Sequence, residues 1–321
     1  MAEKVVGHGR LWAVFERALE SGRLAHAYVL VGPSSVGKWT FARALAARLV
    51  CAKPASRAGG GREACGACGP CVRLAAGTHP DVTLLDARAE GSRGLGVEET
   101  RDRIVDALRL RPHDAPVRVV AVNDAERMEP AAQNALLKTL EEPPPRSLLL
   151  LVATETAALL ETVVSRCFLL RFAPVPEAEL AAGLAARGID PRRASELAAL
   201  SGGVPGRAIA WEDDAAGGLG EIARACLRGE VSPSTLAAGL GKTTGDSADG
   251  SAFERRRQAA LALCAALARE VRAALEADPD DAPAAARLER IVEAAREVAA
   301  SVTPELAVDR LAREIASGRA A

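Results

Sequence analysis

Two groups of residues in this 321-residue chain have the types and spacing to do chemistry. The first is Gly32-Pro-Ser-Ser-Val-Gly37-Lys38-Trp39-Thr40, preceded by the apolar run Tyr28-Val-Leu-Val31. Glycines at this spacing let backbone N–H groups converge on phosphate oxygens, a following helix offers its positive N-terminus, and the lysine neutralises the outer phosphates. Such a loop requires Ser or Thr after the lysine to hold Mg²⁺. Trp39 has no oxygen to give a metal. Thr40 carries a hydroxyl but stands one residue late, about 100° further round a helix. A matching gap recurs at Asn123-Asp124-Ala125-Glu126, which ends a second apolar run. Asp124 can orient Mg²⁺, but Ala125 cannot act as a base, and Glu126 lies one residue too far along. The loop is therefore built as a nucleotide cradle that lacks two parts of the turnover machinery. The bland alternative is an ordinary glycine turn between strand and helix.

The second group is Cys65-Gly-Ala-Cys68-Gly-Pro-Cys71, with Cys51 upstream. Four thiolates at this spacing suit a tetrahedral ion, and Zn²⁺ accepts four sulfurs without redox chemistry. A disulfide pair and an iron–sulfur cluster are the competing readings. A four-sulfur shell leaves no open coordination position, so a structural staple over residues 51–71 is expected, not catalysis.

The elements that must position these groups follow from apolar patterning. Runs at Tyr28–Val31, Asp81–Leu85, Val117–Val122, Leu148–Val152 and Phe168–Phe172 read as strands, and helical spacing fills the intervals. Helices are expected at Gly9–Leu24, after the glycine loop, at Val97–Leu110, at Pro130–Leu140 and over Leu159–Val164. Strands alternating with helices imply a three-layer α/β domain around a five-stranded parallel sheet. Composition shifts at Ala173-Pro-Val-Pro176, which reads as a linker. Short Ala/Leu helices follow over 173–213, enough for a small helical lid. Residues 214–321 read as an all-α bundle interrupted by a polar loop at Gly239–Ser251, and Gly241-Lys-Thr243 within it is no second phosphate loop because no strand precedes it.

Apolar residues at 49% and charged residues at 26% describe an ordinary globular chain of two or three domains. A formal charge of −1 argues against a whole-protein electrostatic grip on nucleic acid. Arg101, Arg103 and Arg109 on one helix read first as a solvated face. No apolar run reaches membrane-spanning length and no signal peptide opens the chain, so a cytoplasmic location without membrane contact is expected.

Several strings together carry a resemblance: Asn134-Ala-Leu-Leu-Lys-Thr-Leu-Glu-Glu-Pro-Pro144, Ser165-Arg-Cys167, His26-Ala-Tyr28 and Gly77-Thr-His-Pro-Asp81. With the loop and the cysteines, the chain resembles the AAA+ clamp-loader subunits of bacterial DNA polymerase III, most strongly from Leu24 to Phe172. The resemblance implies three domains: an AAA+ domain over 1–172 with its zinc module at 51–71, a lid over 173–213, and a collar over 214–321 that builds a hetero-pentameric ring. It implies gamma/tau and delta subunits as neighbours, and a sliding clamp and primed DNA as partners of the whole complex. Arg166 would be an arginine finger offered to a neighbour's nucleotide. Thr154 and Arg207 would be the sensors of this chain's own nucleotide site, alongside Gly32, Gly37, Lys38, Thr40 and Asp124. His26 and His79 read as hydrogen-bonded structural histidines.

The departures at Trp39 and Ala125 favour a subunit that belongs to the polymerase holoenzyme without being the polymerase or an efficient ATPase. Because Lys38 and Asp124 persist, passive retention of ATP or ADP stays open. One alternative is an active gamma/tau-type ATPase in which Thr40 and Glu126 rescue the missing groups. Another is a stand-alone zinc-module nucleic-acid binder, disfavoured by weak net charge and the lack of aromatic clusters for base stacking.

Overall fold

The computed structural model describes residues 5–56, 61–87, 94–213, 219–230, 252–300 and 303–316. The polar stretch 239–251 and most of the Gly/Arg-rich loop before Gly96 lie outside them. The chain divides into two compact units, Met1–Ala173 and Pro174–Ala321.

In the first unit, β1 (Ala27–Val31), β4 (Val82–Asp86), β5 (Arg118–Asn123), β6 (Ser147–Ala153) and β7 (Phe168–Arg171) form one parallel sheet in the order β4-β5-β6-β1-β7. The five-stranded parallel sheet expected from the apolar runs is present. Every residue of β1 is buried, which is why its sequence is continuously apolar instead of alternating. Successive residues point to opposite faces and build two cores. Val29, Val31, Val120, Val122, Leu149 and Leu151 pack with Ile104, Leu136, Leu140 and Val163. Tyr28, Leu30, Val119, Ala121, Leu148 and Leu150 pack with Trp12, Phe15, Phe41 and Leu45. The second core is supplied by α1 (Gly9–Glu20) and α2 (Lys38–Val50).

Several helices differ in detail from their sequence patterns. α1 stops at Glu20 instead of Leu24, because Gly22 takes a left-handed φ of 66° just past its end. The segment after Gly96 runs as α4 (Val97–Thr100), a π-helical turn Arg101–Asp106, and α5 (Ala107–Arg109). The expected helix Pro130–Leu140 is two pieces, α6 (Pro130–Ala135) and α7 (Leu137–Glu141), where the Leu136 amide donates to the Gln133 carbonyl and tightens the turn. Pro143, Pro144 and Pro145 then block any extension of α7. α8 (Glu161–Val164) leads into β7.

An insertion follows α2: a short hairpin of β2 (Ala55–Ser56) with β3 (Arg62–Glu63), then α3 (Gly69–Ala75). The Trp12 indole N–H donates to the Arg62 carbonyl at 3.1 Å and ties the insertion to α1. Beneath it Arg48 pairs with the buried Glu16 at 3.1 Å.

The second unit is helical: α9 (Glu177–Ala185), α10 (Pro191–Leu200), α11 (Pro205–Asp213), α12 (Leu219–Leu227), α13 (Ala252–Ala277), α14 (Ala282–Ala299) and α15 (Pro304–Ala316). Leu200 of α10 shares one core with Leu261, Leu267, Ile291 and Leu311, and Arg272 of α13 pairs with Glu196 of α10. Among the described residues no helix is long and apolar enough to cross a membrane.

One buried carboxylate anchors the sheet's outer edge. Asp81, fully buried, accepts the backbone N–H groups of His113, Asp114 and Ala115 at 2.7, 2.7 and 2.8 Å and faces the Arg118 guanidinium at 3.3 Å. Burial alone would lift its pKa, but the three amides and Arg118 hold it below the usual carboxylate range. Its stabilisation is therefore present above about pH 4 and is lost as pH falls through that range, where the unfolded chain takes up the proton first. We predict that Asp81→Asn costs about 2–4 kcal/mol at neutral pH in urea unfolding and loses part of the acid-side slope of stability; equal stability of the two proteins at pH 7 would contradict this.

Candidate functional site

The glycine loop sits where β1, β6 and β7 end together. The Gly32 N–H donates to the Thr154 carbonyl at 3.2 Å, and the Phe172 N–H donates to the Val31 carbonyl at 2.7 Å. Gly32 has a φ of 154°, and a Cβ there would lie 2.2 Å from the Phe172 carbonyl oxygen. Only glycine fits this approach. Gly37, with a φ of 106°, turns the chain into α2. Lys38 opens that helix, and its buried ammonium donates to the Gly32 and Pro33 carbonyls at 2.6 and 2.8 Å. Burial pulls its pKa down to about 8, against the upward pull of the Glu126 and Asp124 carboxylates.

Trp39 is half-buried and packs against the α1–α2 core. Thr40 lines a cavity of about 80 Å³ on the side of α2 facing the cysteine insertion, together with Arg43, Cys71, Leu74 and Leu84. At the end of β5, Asp124 adopts a left-handed backbone with φ 50° and ψ 48°, and Ala125 is fully buried. The Glu126 carboxylate accepts the Thr154 N–H at 3.1 Å. Its second oxygen is buried without a hydrogen-bond partner among the described residues. Gly32, Lys38, Asp124 and Thr154 are thus gathered around one loop, and Glu126 joins them through the Thr154 amide.

Two contacts at the loop carry no signal in the sequence. Glu126 reaches Thr154, a contact that no spacing rule indicates because it joins the ends of two strands. The His8 Nε2–H donates to the Val36 carbonyl of the loop at 2.8 Å, and its ring packs edge-on to Phe172 at 4.8 Å. His8 precedes α1 and carries no sequence signal of this placement.

The cysteine cluster is closed. The Sγ atoms of Cys51, Cys65, Cys68 and Cys71 all lie within 4.8 Å of one another. Cys51 is 3.6 Å from Cys65 and 3.9 Å from Cys68, while a tetrahedron of thiolates about 2.3 Å from a metal has edges of about 3.8 Å. A disulfide needs sulfurs about 2.05 Å apart, and all four cysteines are free. Backbone amides already point at the sulfurs: the Cys65 N–H at Cys51 Sγ, 3.3 Å, and the Cys68 N–H at Cys65 Sγ, 3.4 Å. Burial opposes ionisation of Cys68, yet the amides of Cys71 and Ala52 outweigh it and bring the thiol down to about 6. The donor set therefore fits a thiophilic tetrahedral ion.

Arg166 follows α8 at the surface. Its Nη1 donates to the Thr162 carbonyl at 2.9 Å and its Nη2 to Glu141 Oε1 at 2.7 Å, with the side chains 36% and 52% exposed. Arg207 lies in the first turn of α11, in the second unit, half-buried.

The loop geometry yields a pH signature. Between about pH 8 and 10.5 the unfolded chain retains a Lys38 proton that the folded chain has released, so stability rises with pH in that window. Lys38→Met should flatten that rise in chemical denaturation at the two ends of the window. An unchanged slope would contradict the buried placement of the ammonium.

The sequence of this chain is similar to those of known proteins. Over 184 residues the chain is 41% identical to DNA polymerase III subunit delta-prime of Pseudomonas aeruginosa, covering 56% of this chain and 54% of the relative. It is 37% identical over 193 residues to the Escherichia coli delta-prime subunit, covering 60% and 55%. A gamma/tau subunit of Mycobacterium bovis is 38% identical over 188 residues, covering 57% of this chain and 30% of the relative. The matches span about half the length of the delta-prime relatives. Residues 7–176 match the family model described as DNA polymerase III, delta subunit. The chain belongs to that family, with clamp-loader delta-prime subunits among its relatives.

Proposed function

We propose that this chain is the delta-prime subunit of a DNA polymerase III clamp loader, a stator that does not turn over nucleotide itself and lends Arg166 to a neighbouring motor subunit. The observation that carries the reading is a contrast between two sites. Arg166 stands exposed at the surface, while the chain's own loop has Trp39 half-buried against the α1–α2 core, Thr40 lining the cavity beside the insertion, and Ala125 buried where hydrolysis needs a base. A guanidinium spreads positive charge over a transferring phosphoryl group, an effect of about 10³–10⁵ in rate among NTPases that use such a finger.

In this reading the partners are gamma/tau and delta subunits in a hetero-pentameric ring, acting on a sliding clamp and primed DNA. Residues 1–172 serve as the AAA+ domain, 173–213 as the lid and 214–321 as the collar. Lys38, Gly32, Gly37, Asp124 and Thr154 keep a nucleotide-shaped loop. Cys51, Cys65, Cys68 and Cys71 would hold one structural Zn²⁺, whose chemistry is to bind four thiolates and nothing more.

Three measurements test these assignments. The purified chain alone should show no turnover of Mg-ATP. In a reconstituted complex, Arg166→Ala should leave ring assembly intact and lower hydrolysis at the neighbouring site by about 100-fold or more, with clamp loading lost. Brisk hydrolysis by the isolated chain would favour a gamma/tau-type ATPase, and full activity of the Arg166→Ala ring would end the finger role. For the insertion, elemental analysis of metal-replete protein should give about one zinc per chain, released by thiol-modifying reagents. A zinc content near zero, or iron in its place, would overturn the metal assignment.

A further inference from the structure

The carboxylate that meets Arg166 belongs to the last residue of α7, and both ends of that contact are fixed. Pro143, Pro144 and Pro145 stop α7 immediately after Glu141-Glu142. Leu140 is buried in the same core as Val163 of α8. The buried Gln133 side chain donates to the Met128 carbonyl at 3.1 Å and accepts the Leu160 N–H at 2.8 Å, which ties the start of α8 to α6. Glu141 and Arg166 therefore emerge from elements held together beneath them.

Two acceptors define the guanidinium plane. The Thr162 carbonyl, one turn back on α8, takes Nη1, and Glu141 takes Nη2. A guanidinium has five N–H donors, so among the described residues these two bonds leave donors for an incoming anion. An exposed ion pair is too weak to withhold the arginine from a multiply charged phosphate. It is strong enough to favour one orientation of a side chain that otherwise samples many rotamers.

We infer that Glu141 is a positioning residue: it braces Arg166 with the guanidinium already aimed outward, and it keeps its hydrogen bond while a neighbour's terminal phosphate takes the remaining donors. The inference rests on the finger reading of Arg166. The brace acts on orientation, so its loss should appear in the chemical step and spare nucleotide affinity.

The test uses the reconstituted complex of the full chain with gamma/tau and delta subunits, Mg-ATP as substrate, and ADP–aluminium fluoride as transition-state mimic. Glu141→Ala should lower kcat about 3- to 10-fold with KM unchanged, and weaken the mimic without weakening ADP. Glu141→Gln keeps an acceptor oxygen and should recover to within about twofold of the parent, whereas the shorter Glu141→Asp should behave like Ala. If the Ala variant assembles poorly, the Gln and Asp variants carry the same comparison. The Arg166→Ala, Glu141→Ala double variant should be no slower than Arg166→Ala alone. An impaired Arg166→Ala ring beside an undiminished or faster Glu141→Ala ring overturns the brace and leaves the finger standing. An unimpaired Arg166→Ala ring overturns the finger reading itself.

Discussion

The first unit depends on the close approach of Gly32 to the end of β7. With the Phe172 carbonyl oxygen 2.2 Å from where a Cβ would stand, β1 can lie between β6 and β7 only if its last turn carries no side chain. That approach brings three strand ends to one level. Gly32 then reaches the Thr154 carbonyl, Lys38 folds back on the loop, and the Glu126 carboxylate closes the circuit through the Thr154 amide. The loop's shape is thus enforced by the sheet beneath it. It persists whether or not the residues that would use a nucleotide catalytically are kept.

That independence explains how the chain can lack a hydroxyl after Lys38 and an acid at position 125 without losing its fold. Trp39 packs against the α1–α2 core, and Ala125 is fully buried at the end of β5. Both residues supply apolar packing at positions where a catalytic loop would need polar groups. Elsewhere in the unit, two buried polar side chains have structural partners. Asp81 holds three amides, and His79 accepts the Asp81 N–H through Nδ1 at 3.1 Å. The His79 placement matches its reading as a structural histidine.

Much of this architecture was legible in the sequence because its determinants are local. Buried parallel strands must be largely apolar, so runs such as Val117–Val122 and Leu148–Val152 announced the sheet. The glycine loop was legible because its spacing is set by backbone geometry, and the four-cysteine cluster because closely spaced Cys-x-x-Cys pairs bring their thiols together. What escaped was long-range. Glu126 meets Thr154, His8 meets Val36, and Glu141 meets Arg166 across 28, 28 and 25 residues of sequence. Nothing in periodicity encodes which strand end a carboxylate will face. The interruptions at Leu136 and Arg101–Asp106 escaped for a related reason, since backbone hydrogen bonding departs from the α pattern there without a proline or glycine to mark it.

In the proposed reading, chemistry at the neighbouring subunit is completed by a guanidinium from a chain whose own loop is silent. That role is tested most directly by an electron cryomicroscopy structure of the reconstituted ring trapped with Mg-ADP and aluminium fluoride. The Arg166 guanidinium is expected in hydrogen-bond contact with the fluoride on the adjacent subunit, with no metal-bound transition-state mimic in the Gly32–Lys38 loop. A mimic with Mg²⁺ seated in that loop, or Arg166 turned away from every nucleotide in the ring, would contradict the proposed reading.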